Sequence, residues 1–186
     1  MRVSRVRPEQ AALPIQSYFS NGQPGDLVAS LAHVPEVLTV AMPFIGQMLG
    51  PSSLSERIKE IVVLGVSALQ GCQYCTDTHT VVAHQSGLSQ SEILVLRQAS
   101  KDDVFVDPAE ATLWHLVQTL GGGRVDSAQI EHAMTQMAQH WLEFEMVEIT
   151  MLISTTIMLN RYCIAMNIPV SEVHQVWLND QPWLNL

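Results

Sequence analysis

Residues 52–87 read SSLSERIKEIVVLGVSALQGCQYCTDTHTVVAHQSG, and their reading decides the fold. Ser53 and Glu56 have the spacing of a capping box, an apolar run follows, and Gly71 closes it. That pattern predicts one helix, with a second running from Cys72 to Gly87. On a helix, Cys72, Cys75 and His79 fall at i, i+3 and i+7, so their side chains share one face.

Working outward, the same helical signals continue almost without a break. Upstream, DLVASLAHV (26–34) is a short helix ending before Pro35, and PEVLTVAMPFIGQMLG (35–50) carries proline at its first helical position. Downstream come LSQSEILVLRQAS (88–100) and DPAEATLWHLVQTLGGG (107–123), followed by DSAQIEHAMTQMAQHW (126–141). The long LEFEMVEITMLISTTIMLNRYCIAMN (142–167) is stopped by Pro169, and SEVHQVWLND (171–180) adds a last short helix. Period-two alternation is nearly absent, so the fold class is all-α. Residues 1–24, with Pro8, Pro14, Pro24 and Gly22, read as an irregular lead-in to a single domain over 25–186.

Composition narrows the partners. The chain is 47% apolar and 15% charged, with a net charge of −9 and only nine Lys and Arg. Nucleic-acid binding requires a basic surface that releases counterions, and an anionic membrane face makes the same demand. Neither partner is expected. The run ITMLISTTIMLN (149–160) is broken by Thr, Ser and Asn and is shorter than the roughly 20 residues that span a bilayer, so it reads as a buried helix. The basic start lacks the apolar run of a secretion signal. Three cysteines without an export signal imply a reducing, cytoplasmic setting, where a close pair is catalytic or metal-binding rather than structural.

An internal repeat is also visible. EIVVLGVSALQGCQYC (60–75) lies without gaps on EITMLISTTIMLNRYC (148–163), with five identities in sixteen positions. Glu60 meets Glu148, Tyr74 meets Tyr162 and Cys75 meets Cys163, while Cys72 becomes Asn160 and His79 becomes Asn167. This suggests half-repeats over about 36–98 and 107–178, the second keeping the scaffold without the chemistry.

Three readings of the cysteine pair stand side by side. Two small core cysteines beside a satisfied histidine would need no function. Zinc could take Cys72, Cys75 and His79, with Glu60, His84 or Cys163 as a fourth ligand, though none of these has diagnostic spacing. A redox dithiol suits the placement of Cys72 at a helix N-terminus, where free N–H groups and the helix dipole favour a thiolate. His79, one turn beyond Cys75, can exchange a proton with it, and Glu60 lies on a buried seam pointing toward the pair as a further proton carrier. Tyr74 either donates a hydrogen bond there or packs. Cys163 reads as a small buried residue, His84 as a solvent or interface histidine, and His115, His132, His140 and His174 as ordinary. GGGR (121–124) is a helix-to-helix turn and not a phosphate loop.

Glu60, eleven intervening residues, then Cys72-Gln-Tyr-Cys75 and His79, resembles the signature of the AhpD-like alkylhydroperoxidases within the carboxymuconolactone decarboxylase superfamily. The flanks LSERIKEIVVLGVSALQGCQYC and HQSGLSQSEI agree, and NRYCIAMNIP is similar to the family's ending of its long helix. The resemblance implies an internally duplicated helical bundle assembled as trimers or hexamers. It implies Cys75 as the sulfur that attacks peroxide, Cys72 as the resolving thiol, and Glu60 and His79 as the proton relay. No cofactor is implied, only an external dithiol, either a reductant protein or a dihydrolipoamide-type donor. Lactone decarboxylases of the same superfamily lack the cysteine pair, so a lyase is the alternative enzyme. A redox-sensing or zinc-stabilised oligomer is the non-catalytic one.

Overall fold

The computed structural model describes residues 1–123 and 126–185 and, among them, contains helices and no strand. Among the described residues nine α-helices follow one another: α1 (Asp26–Leu31), α2 (Pro35–Leu49), α3 (Glu56–Leu69), α4 (Gln73–Gln85), α5 (Gln90–Arg97), α6 (Pro108–Gly121), α7 (Ser127–Met137), α8 (Glu143–Met166) and α9 (Glu172–Asn179). The all-α reading holds. The lead-in is more ordered than its prolines suggested: 3-10 turns at Pro8–Gln10 and Leu13–Phe19 bury Ile15 and Phe19 against Leu38 of α2. Arg124 of the expected GGGR turn lies outside the described residues.

α3 is the central element. Ile61, Val62, Val63, Leu64 and Val66 are all buried, which is the pattern of a helix covered on every side. α4, α6 and α8 pack around it. Gly65 permits the close crossing with α6, because a Cβ there would come within 2.5 Å of the Trp114 ring. α3 opens at Ser55, whose hydroxyl accepts the Ile58 N–H at 3.3 Å, and not through the expected Ser53–Glu56 box. Ser53 instead donates to Glu148 of α8 at 2.6 Å, so a tertiary contact outcompetes the local cap.

Charged side chains clamp the bundle. Arg57 of α3 donates to Glu110 of α6 at 2.6 Å and to Glu92 of α5 at 2.6 Å. Lys59 is buried; its ammonium donates to the carbonyls of Met48 and Gly50 and faces Glu148 at 3.6 Å. This fixes the end of α2 on α3 and α8, and it satisfies a cation that would otherwise be costly to bury.

α8 corrects one expectation. It runs 24 residues, long and apolar enough to cross a membrane by length and composition. Its Ile149, Leu152, Ile153 and Cys163 are buried in the bundle. Asn167 ends it in the left-handed conformation, φ 53°. The repeat alignment explains a contrast between the halves: at Gly71 (φ +68°) the first copy breaks into a turn, where the second has Leu159 and stays helical.

Candidate active site

The chemistry-bearing residues converge on the α3–α4 hairpin. Gly71 reverses the chain, and the Cys72 N–H bonds back to the Ser67 carbonyl at 3.0 Å. Cys72 then sits at the N-cap of α4 with extended backbone (φ −85°, ψ 93°), and Cys75 stands in the first turn. The two sulfurs are unbonded and 2.9 Å apart. An S–S bond is about 2.05 Å, so oxidation needs less than an ångström of closure.

Because α4 folds back along α3, His79 returns to the level of Glu60. His79 Nδ1 lies 2.9 and 3.2 Å from the two carboxylate oxygens of Glu60, which is 6% exposed. An ionised carboxylate only accepts, so Nδ1 carries the proton and donates it to Glu60. Nε2 is then left with its lone pair and, among the described residues, with no protein hydrogen bond. A carboxylate-oriented imidazole of this kind holds a proton-accepting nitrogen in place. Among the described residues neither sulfur is hydrogen-bonded to the imidazole, in contrast to the expected Cys75–His79 contact.

A third sulfur joins the pair. Cys163 of α8 lies with Cys72 and Cys75, all three sulfurs within 4.8 Å of one another and all buried. Cys163 and then Cys75 lower the Cys72 thiol by hydrogen bonding to its sulfur, against the opposing effect of burial; the positive charge of a protonated His79 favours the thiolate further. The same contacts push Cys75 up, and contact with Cys72 pushes Cys163 up to about 12. The lowered thiol is thus that of Cys72, as its N-cap position suggests, while Cys75 is the more exposed residue at 7% against 1%.

Ile168, Tyr74, Tyr162, Leu27, Met166 and Met1 cover the three sulfurs. Burial, with the neighbouring Cys163 and Cys75, pushes the Tyr74 phenol up to about 12, so it stays protonated. Tyr74 also lines a cavity of about 300 Å³ with Asp26, Thr78, Ser171 and His174, which brings solvent to the edge of the cluster. A larger cavity of about 510 Å³ lies elsewhere, between α6 and α7, where His115 and His132 meet edge to face at 6.1 Å.

Sequence reading placed Glu60, Cys72, Cys75 and His79 together, and the structure forms them into two pairs, Cys72 with Cys75 and His79 with Glu60. It read Cys163 as a small buried residue or a possible fourth zinc ligand, and not as a neighbour of the dithiol, although the repeat alignment had set that residue in register with Cys75. It also missed buried Asn160, whose Oδ1 accepts from Ser67 at 3.2 Å and whose amide nitrogen has no partner among the described residues. Of the expected zinc ligands, Cys72, Cys75 and Cys163 come together; His79 and Glu60 pair with each other outside that group of three, and His84 packs on Trp177 with ring centroids 5.2 Å apart.

The helical bundle has an AhpD-like fold, and it presents a Cys-x-x-Cys pair at a helix start with a Glu–His pair following on the same hairpin. Residues 35–118 match the model of the carboxymuconolactone decarboxylase family. The uncharacterized protein YdfG of Bacillus subtilis (strain 168) is 27% identical over 117 residues, 62% of this chain and 77% of that one. Among solved structures, the Agrobacterium tumefaciens protein ATU0492, described as a putative antioxidant defence protein AhpD, matches with a TM-score of 0.68. It is 21% identical, over 76% of this chain and 95% of that one. A cysteine-to-alanine variant of the debrominase Bmp8, in complex with 2,3,4-tribromopyrrole, matches with a TM-score of 0.73 at 14% identity, over 96% and 97% of the two chains. At these identities the structural likenesses establish the fold.

Proposed function

We propose that this protein is a thiol-dependent peroxidase that reduces hydroperoxides through Cys72 and Cys75. The observation that carries the reading is the pair of reduced sulfurs 2.9 Å apart beside an imidazole held by Glu60. Cys75, the more exposed of the two residues, attacks the peroxide after its proton shifts to Cys72 across that contact. The O–O bond breaks, Cys75 becomes a sulfenic acid, and the alkoxide leaves as the alcohol after taking up a proton that His79 Nε2, through its free lone pair, first accepts from solvent and then passes on. The Cys72 thiol then attacks the sulfenic sulfur, forming the disulfide and releasing water. An external dithiol, a reductant protein or a dihydrolipoamide-type donor, restores both thiols by exchange.

The test is peroxide consumption with tert-butyl hydroperoxide and several dithiol donors. Wild type is expected to turn over and to lose two thiols per chain on oxidation. Cys75→Ser is expected to be inactive, and Cys72→Ser to accumulate a trappable sulfenic acid at Cys75. A sulfenic acid trapped at Cys72 in Cys75→Ser would reverse the two roles, and no consumption with any donor would overturn the activity. Halide release from 2,3,4-tribromopyrrole in the same assay would point to dehalogenation by the same dithiol.

A further inference from the structure

We propose that Cys72, Cys75 and Cys163 together form a three-coordinate thiolate site for a soft monovalent d¹⁰ cation of the Cu(I) type. The three are every cysteine in the chain. They arrive from two separate places, the α3–α4 turn and the last third of α8, yet their sulfurs lie within 4.8 Å of one another. Metal–thiolate bonds of about 2.3 Å put the sulfurs around a trigonal ion roughly 4 Å apart. The 2.9 Å contact between Cys72 and Cys75 has to open by only about 1 Å to reach that spacing.

The surroundings choose among ions. Leu27 and Ile168 supply hydrocarbon, and Met166 and Met1 bring thioether side chains against the cluster. Thiolate and thioether donors favour soft ions, whereas calcium and magnesium require several oxygens. Of the polar groups nearby, Tyr162 shares a 3.0 Å hydrogen bond with Ser30, and His79, its Nδ1 on Glu60, lies outside the set of donors within 4.8 Å of one another. Structural zinc normally takes four protein ligands, and the cluster supplies three. Coordination consumes no oxidant, so this site stands whether or not the dithiol turns over peroxide.

The full-length reduced chain is titrated anaerobically with Cu(I) in competition with bicinchoninate, and the product is examined by X-ray absorption. One Cu(I) per chain with three sulfur neighbours at about 2.3 Å is expected. Cys163→Ser, verified by circular dichroism, is expected to bind roughly a hundredfold more weakly with two sulfurs. If that variant does not fold, the sulfur count on the native chain decides alone. Complete surrender of copper to the chelator overturns the proposal, as do a count of two on the native chain, an unchanged affinity in folded Cys163→Ser, or preferential uptake of Zn(II) from a mixture. Failure of the peroxide assay leaves this outcome untouched, so the two ideas fall separately.

Discussion

At the residue scale, what distinguishes this site is that Glu60 acts through His79. The carboxylate touches no sulfur; it fixes which imidazole nitrogen carries the proton. Glu60→Gln keeps the shape but can present its N–H group to Nδ1, inverting the tautomer and placing a proton on Nε2. Peroxide turnover is expected to fall by about ten- to a hundredfold, carried in kcat, with a displaced pH–rate profile. A purely packing role would leave the profile where it was, and steady-state kinetics across pH would reveal that. Glu60, Cys72, Cys75 and His79 are legible because their spacing survives in the fold. Cys163 is not, because nothing in one helix states which surface of another it will meet.

At the scale of elements, the Arg57 clamp is the most informative. It ties α3 to α5 and α6 through Glu92 and Glu110, with the Glu92 carboxylate also inside the Ser89 cap of α5. Burial works to raise Glu92, but Arg57 and Ser89 outweigh it and hold the carboxyl below its ordinary range. A carboxyl depressed in the folded state contributes stability above its unfolded value, near 4.3, and loses it as pH falls through the folded value. The gap in thermal midpoint between wild type and Glu92→Gln is therefore expected to be widest near neutrality and to narrow below about pH 4. A gap that stays constant from pH 7 to 3 in calorimetry would contradict the clamp. Helix positions followed from prolines, glycines and periodicity. The α3 start slipped from Ser53 to Ser55 because Glu148, remote in sequence, captured the Ser53 hydroxyl.

At the scale of the whole molecule, two neighbouring helices present apolar side chains to solvent. Val37, Val40 and Phe44 of α2 are exposed, as are Phe144, Val147, Met151 and Met158 of α8. Such a surface is more extensive than a lone soluble chain usually tolerates, and it agrees with the oligomer that the family resemblance implies. Light scattering is expected to give a trimer or hexamer, and Val40→Glu with Val147→Glu to shift it toward monomer; a wild-type monomer at micromolar concentration would refute this. Composition anticipated the apolar excess but not its address, since the exposed and buried faces of α8 are equally hydrophobic. The order in which the sulfurs enter the structure has a consequence for biosynthesis. Cys72 and Cys75 belong to a hairpin that closes on local contacts, whereas Cys163, Tyr162 and Met166 come with α8. A ribosome-bound chain halted before α8 would hold the pair without Cys163, Tyr162 and Met166 over it, more open to premature oxidation than in the finished fold.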